Sequence, residues 1–424
     1  MKKNKDAALS WHCPWAKQTC PFYTFKTMKL FKGLDLAYCT NVHRGNSWRE
    51  TFDSLEKHVL AVREKVAPEE RFAIGLRLGA DAARELSSPE QILRFQKWLE
   101  AKNCYVFTIN GFPYGNFHGQ RVKEDVYRPD WATRERLSYT ILLFEILEQL
   151  LEPGEEGSVS TLPGSFKEFH PDETAYSKIL GNLLHCSDEI DRIKGPKNLD
   201  LHLGLEPEPL GLFETTPETV SFFDKLKEKG DGRDSLLQNV GVNYDCCHLA
   251  VEFEDAEEGL NLLDQAGIRL SKLHLSSALR VNPSPENLKA LNRYVEEVYL
   301  HQVVIGRNGQ ILRRHKDLDL ALSAIKSEQE PAGDEWRIHF HVPLHASPGN
   351  GMEDTRDHVR KTLDWLALNP EKCRHLEMET YTWEVLPENL RSQEVAQQVA
   401  EEYFWTLEIL RERGLAATAH PQTT

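Results

Sequence analysis

A chain of 424 residues with 66 acidic against 51 basic side chains carries a formal charge of −15, which repels a phosphate backbone and sets nucleic acid and anionic membrane surfaces aside as partners. With 40% hydrophobic residues it has material for one large core, and no Ser/Gly/Pro-rich linker divides it. No apolar run approaches the roughly 20 residues of a membrane helix and no signal core follows the basic start, so a cytoplasmic protein without direct membrane insertion is expected, its 8 scattered cysteines reduced.

Residues 1–27 read as an appendage, with Met28 as an alternative start. Residues 34–39 form the first predicted strand, and Ser47-Trp48-Arg49-Glu50 is a capping box opening a helix to about residue 66. A strand over 72–78 follows. Ser88-Pro89-Glu90-Gln91 then starts a helix to residue 101, with proline at its first position. The third strand, 105–109, opens into a loop from Asn110 to Gly119 whose glycines, Phe112, Tyr114 and His118 suit either a pocket wall or a structural turn. A helix over about 131–151 leads to a strand at 158–162, stopped by Pro163-Gly164, and a helix over 171–193 leads to the fifth strand.

That fifth strand, 199–206, has two chemically distinct faces. Leu199, Leu201, Leu203 and Leu205 share one side, while Asp200, His202, Gly204 and Glu206 share the other, and Pro207 and Pro209 stop it. A helix from about 217 to 229 follows, then strands at 240–245 and 268–276. Alternating strands and helices predict an α/β fold with a parallel sheet: a single (β/α)₈ TIM barrel over 28–414, leucines outward and the polar face in the lumen. An insertion is expected near 281–330, with a hairpin of 302–305 and 310–313 around Gly306-Arg307-Asn308-Gly309. The runs 336–344 and 375–381 both read as strands, one more than the barrel has places for, so either can be the last. A final helix over about 388–413 and a tail at 415–424 complete the chain.

Glu206, Asp245, His274 and Glu379 each fall at or near a predicted strand end, and a barrel gathers such ends at one rim. Any one of them alone reads as a solvated strand end. Together, three carboxylates and an imidazole suit one divalent metal ion: manganese, magnesium or cobalt, with zinc also accommodated. His248, three residues after Asp245, can bind metal, orient a substrate oxygen or do neither. Lys272 would point inward with His274, to pair with a carboxylate or to hold a substrate oxygen. His339, His341 and His345 offer either a second metal or a polar wall. No Walker loop, Gly-x-Gly-x-x-Gly, His-Glu-x-x-His or Gly-x-Ser-x-Gly occurs.

Leu205-Glu206, Asp245-x-x-His248, Lys272-Leu273-His274 and Glu379 resemble the Glu, Asp, His, Glu metal set of the xylose isomerase-like TIM barrels, which include sugar phosphate isomerases and ketose 3-epimerases. Glu206-Pro207-Glu208-Pro209 is similar to the Glu-Pro-Lys-Pro of xylose isomerases, whereas Glu208 with Glu214-Thr215 six residues later resembles the epimerase pattern, so Glu206 and Glu208 both stand as the ligand. From about residue 28 to the last helix, Tyr38-Cys39-Thr40-Asn41-Val42-His43, Asn110-Gly111-Phe112-Pro113-Tyr114-Gly115, Tyr127-Arg128-Pro129-Asp130-Trp131 and Glu377-Met378-Glu379-Thr380-Tyr381-Thr382-Trp383 resemble the EboE family of bacterial metabolite traffic proteins.

These resemblances imply catalysis by Glu206 and Glu379 assisted by His248. Substrate contacts would come from Phe112, Tyr114, His118, Glu214 and Lys272, and the substrate would be a small sugar-like or phosphorylated metabolite. The EboE likeness further implies a functional link to a prenyltransferase-like membrane protein. Two other readings compete: a catalytically silent metabolite carrier on the same barrel, and a multi-zinc, endonuclease IV-like hydrolase, which the net charge and the lack of a basic stripe disfavour.

Overall fold

The computed structural model describes residues 30–116, 121–327, 331–349, 351–385 and 394–417. The expectations for residues 1–27, His118 and the end of the tail lie outside this set.

Seven strands alternate with helices: β1 (Asp35–Tyr38), β2 (Phe72–Arg77), β3 (Cys104–Asn110), β4 (Glu156–Thr161), β5 (Asp200–Leu205), β6 (Val240–Asp245) and β7 (Leu270–Leu275). A second unit follows, containing β8 (Ala278–Val281), β9 (Val303–Arg307), β10 (Gln310–His315), β11 (Glu335–His341) and β12 (Met352–Asp354), and then β13 (His375–Met378). The first sheet runs β1-β13-β7-β6-β5-β4-β3-β2. All its named pairs are parallel, and Cys39 bridges Gly75 in parallel, joining its two edges. This is a (β/α)₈ barrel, and the predicted fold class holds.

The alternation at β5 sorts side chains as expected. Leu201, Leu203 and Leu205 are fully buried in one apolar cluster with Leu183 and Ile190 of the helix Glu173–Lys194. His202, on the opposite side, reaches across the lumen to Ser271 Oγ at 2.6 Å and stacks on His375 of β13 at 5.3 Å. Closure needs a glycine at 75. A Cβ there would sit 2.0 Å from Glu377 Oε1 and 2.6 Å from the Tyr38 carbonyl oxygen.

The inserted unit extends beyond 281–330, spanning β8 to β12 as a second sheet of order β10-β9-β11-β8-β12 with its own core of Leu279, Val303, Ile305, Trp336, Ile338 and Phe340. The strand-like run beginning at 336 belongs here, because β11 lies antiparallel between β8 and β9. The place that closes the barrel is taken by β13, parallel to β1 and β7. This last strand stops at Met378, short of the expected residue 381, and the chain turns into a short helix at Tyr381–Val385. The final helix is Val395–Glu412.

Candidate active site

The rim of the barrel brings four predicted residues to one point. Glu206 follows the last residue of β5, Asp245 ends β6, His274 lies within β7, and Glu379 follows β13. All four are buried, and one ligand atom from each lies within 4.8 Å of the others. His274 Nδ1 is 3.3 Å from Glu206 Oε1, 3.3 Å from Asp245 Oδ2 and 3.2 Å from Glu379 Oε2. Asp245 Oδ1 caps the helix Cys246–Val251, accepting from His248 N at 3.0 Å, and also accepts from Ser276 Oγ at 2.7 Å. Its Oδ2 has no hydrogen-bond partner.

Each member is held from behind. Asn243 Nδ2 donates to Glu206 Oε2 at 2.7 Å, and Asn41 Nδ2 donates to Glu379 Oε1 at 2.6 Å, with Asn110 Nδ2 at 3.3 Å. Glu377 Oε2, one layer deeper, pairs with His274 Nε2 at 2.8 Å and with Lys272 Nζ at 2.5 Å. Burial disfavours the Glu377 carboxylate, yet Lys272 and His274 hold its pKa down to about 2. Burial also opposes charge on His274, but Glu379, Glu206 and Asp245 raise its pKa well above the usual value.

This donor set fits a divalent cation. Three buried carboxylates around one imidazole nitrogen exceed what a single imidazolium can neutralise. With Nε2–H committed to Glu377, Nδ1 is left as the ligand atom, the arrangement in which metal-bound histidines are oriented by a carboxylate. Asp245 Oδ2 supplies an unengaged oxygen.

Above the cluster lies a cleft whose walls include Phe112, Val126, Tyr127, Glu208, His248 and Gln302. Its roof comes partly from the inserted unit, through Tyr299, Leu300 and His339. His248 Nδ1 meets the Pro207 carbonyl at 3.1 Å, and its ring stands edge-on to His339 at 4.5 Å. Burial lowers the His248 pKa, but Asp245, Glu208 and Glu206 outweigh it and raise the value. Burial pushes Glu208 up to about 8, against the pull of His248. His339 Nδ1 pairs with Gln302 Oε1 at 2.8 Å; His341 Nδ1 meets the Glu379 carbonyl at 2.8 Å, and its buried Nε2 has no partner.

The other sequence candidates separate. Glu206 belongs to the four-residue cluster, while Glu208 stands on the cleft wall with His248 and His339. Phe112 lines the cleft. Tyr114, expected at the substrate, does not: it packs edge-on against Tyr139 at 5.0 Å, and its carbonyl accepts from Ala80 N. Glu214 is likewise displaced, because Lys167 and the Leu210 amide draw it into a network with Glu218 and Arg314. Lys272 lies beneath the cluster, its ammonium taken by Glu377 and by Ser160 Oγ at 3.1 Å. His345 pairs with Glu401 at 3.1 Å.

Sequence reasoning passed over Asn41, Asn110, Asn243 and Glu377. Glu377 was recoverable, being two residues before Glu379 on the same strand face, and Asn110 ends β3 just as Asp245 ends β6.

No family model matches the sequence, and no curated protein matches it. Similar solved structures include an IolI protein with a bound zinc atom (12% identity, 90% of this chain and 99% of that one, TM-score 0.48). A xylose isomerase domain protein from Planctomyces limnophilus (12%, 84% and 93%, 0.47) and an L-ribulose 3-epimerase (12%, 91% and 99%, 0.44) are others. Likenesses this distant carry nothing about chemistry, which rests on the residues. No helix among those described is long and apolar enough to cross a membrane.

Proposed function

We propose that the chain is a divalent-metal-dependent isomerase or epimerase of a small sugar-like metabolite. The observation that carries this is the convergence of Glu206, Asp245, His274 and Glu379 beneath a cleft lined by polar and aromatic side chains. Manganese, magnesium or cobalt suits three carboxylates and one imidazole best, with zinc also accommodated. When bound, such an ion would orient neighbouring hydroxyl and carbonyl oxygens and polarise the carbonyl, acidifying the adjacent C–H.

The chain's own groups supply the proton chemistry. Glu206 takes the proton from carbon on one face, leaving an enediolate, and Glu379, entering the cycle protonated, returns a proton on the other face; the inverted product leaves the proton on Glu206, and exchange with water restores the starting forms. Asn243 and Asn41 fix the two carboxylates by one oxygen each, turning the second toward the centre of the cluster. His248, its Nδ1 at the Pro207 carbonyl, presents Nε2 to the charge developing on the substrate oxygen. Phe112 covers the substrate's apolar side. The EboE-like segments add to this reading a cytoplasmic place in metabolite biosynthesis or traffic, with a functional link to a prenyltransferase-like membrane protein.

Metal-loaded protein incubated with ketoses in D₂O should put deuterium on the carbon beside the carbonyl, and Glu379→Gln should stop it. Elemental analysis should find one divalent ion per chain, released by Asp245→Ala and by His274→Ala. Metal retained without exchange across a broad panel would favour the silent carrier. One observation favours a second reading, a multi-zinc hydrolase: Asp245, His248 and His341 offer further ligand atoms within 4.8 Å of one another. More than one zinc per chain would support it.

A further inference from the structure

We infer that the substrate is uncharged and amphipathic: a polyhydroxylated hydroxy-ketone without phosphate or carboxylate, carrying an apolar ring or chain that lies against the roof. This rests on the metal-dependent reading above and narrows it.

The described lining of the cleft offers an anionic group no uncommitted lysine or arginine. The floor carries the three carboxylates of the cluster and the wall a fourth acid, Glu208, and the imidazole of His248 is already set against Glu206 at 3.7 Å and Asp245 at 3.9 Å. Lys123 is the lone Lys or Arg among the described residues lining the cleft. An ammonium has three donors, and those of Lys123 are taken by the carbonyls of Glu296 at 2.9 Å and Tyr299 at 2.7 Å and by Asp317 Oδ2 at 2.6 Å. Lys123 therefore fastens the inserted unit over the mouth and has nothing left for a phosphate.

The buried guanidiniums behind the β3 loop are turned to that loop, although Arg77 Nε and Arg136 Nη2 have no partner. Arg77 donates to the carbonyls of Gly45 at 2.8 Å and Gly115 at 2.6 Å; Arg136 donates to those of Pro129, Gly111 and Phe112 at 2.8 to 3.0 Å. They hold the loop in place, and neither lines the cleft. A phosphate dianion here would leave water to meet carboxylates, with no uncommitted lysine or arginine among the described lining residues in return.

The upper half of the cleft has the opposite character. Phe112, Val126, Tyr127, Tyr299, Leu300 and Tyr381 form an apolar and aromatic surface contributed by separate segments. Tyr299 stands edge-on to Tyr381 at 5.2 Å and Phe112 to Tyr127 at 5.7 Å, so the surface is braced before any ligand arrives. A bare triose or pentose would fill the polar floor and leave this roof wet. A ligand that buries an apolar flank there uses both halves.

The test uses full-length, manganese-loaded protein and calorimetric titration with three sets of probes: free ketohexoses, their 1- and 6-phosphates, and their 1-O-benzyl ethers. The benzyl ethers should bind at least tenfold more tightly than the parent sugars, and the phosphates more weakly than either. Leu300→Arg, and separately Val126→Arg, should erase the benzyl gain and strengthen phosphate binding; thermal unfolding of both confirms that they fold. Equal or tighter binding of the phosphates by the wild type, with metal retained, overturns this inference alone. Failure to hold metal, or binding of no probe in any set, overturns it together with the isomerase reading.

Discussion

The charge pair beneath the cluster gives the sharpest test of how the barrel supports its site. Lys272 and Glu377 are buried, with 0% exposure each, and meet at 2.5 Å. Lys272→Met leaves the Glu377 carboxylate in the lumen with His274 as its remaining partner, while Glu377→Leu leaves the Lys272 ammonium with only Ser160 Oγ. Removing one side of a buried pair costs about 3–5 kcal/mol, whereas replacing both sides by apolar groups is often near neutral. The double variant should thus lie within about 2 kcal/mol of wild type, giving a coupling energy of at least about 4 kcal/mol. Metal affinity should not recover with it. His274 Nε2 still lacks its carboxylate, and loss of such an outer partner typically costs about 10–100-fold in affinity. Urea unfolding of the metal-free proteins and chelator-competition titration measure the two quantities. Single variants each within about 1 kcal/mol of wild type, on the scale of an exposed pair, or a double variant with wild-type metal affinity, would refute the reasoning.

Gly75→Ala should destabilise the barrel by about 1–3 kcal/mol, the usual cost of overpacking, and weaken metal binding as well, because the new Cβ would meet Glu377 Oε1 at 2.0 Å; an unchanged melting temperature would exclude this. His375 predicts an acid-sensitive fold. Burial depresses its pKa to about 3, so the unfolded chain binds the proton first as pH falls below the ordinary histidine range. The stability it contributes is complete above about pH 6.5 and falls progressively toward pH 3, a loss of about 2 kcal/mol by pH 5 at 1.36 kcal/mol per unit. His375→Phe, which keeps a ring between Phe107 and His202, should shrink the difference in unfolding free energy between pH 7 and pH 5 by about that amount; an undiminished difference would count against it.

The barrel strands were legible because a strand's side-chain period assigns each residue a face, and flanking caps and prolines mark where it stops. Leu201, Leu203 and Leu205 against His202 and Glu206 is such a case. The same signal failed to rank the runs beginning at 336 and 375. Strand β11 is buried on both faces within the second sheet, with Trp336, Ile338 and Phe340 in its core and His339 and His341 toward the cleft side. Its composition is that of a barrel strand. Parallel or antiparallel pairing is a property of backbone hydrogen bonds and leaves little mark on side-chain order.

The convergence of Glu206, Asp245, His274 and Glu379 was readable for a related reason: a strand end fixes both the height and the direction of its residue. Loop residues have neither constraint. Tyr114 turns out of the cleft because Arg136 and Arg77 hold the carbonyls of Gly111, Phe112 and Gly115, and Glu214 is drawn aside by Lys167. Such long-range pulls have no local signature.

The position of the insertion carries a consequence of its own. It leaves the barrel after β7 and returns before β13, between the strands that carry His274 and lead to Glu379. Its strand β11 then touches the site directly, for His341 Nδ1 meets the Glu379 carbonyl at 2.8 Å and Thr382 Oγ1 donates back to the His341 carbonyl at 2.5 Å. The peptide that sets the height of Glu379 is therefore tied to the same unit that roofs the cleft. A rigid shift of the roof would pull on the Glu379 backbone, and substitutions in the core of the second sheet should displace Glu379, read as weakened metal binding, before they reach the barrel's own packing.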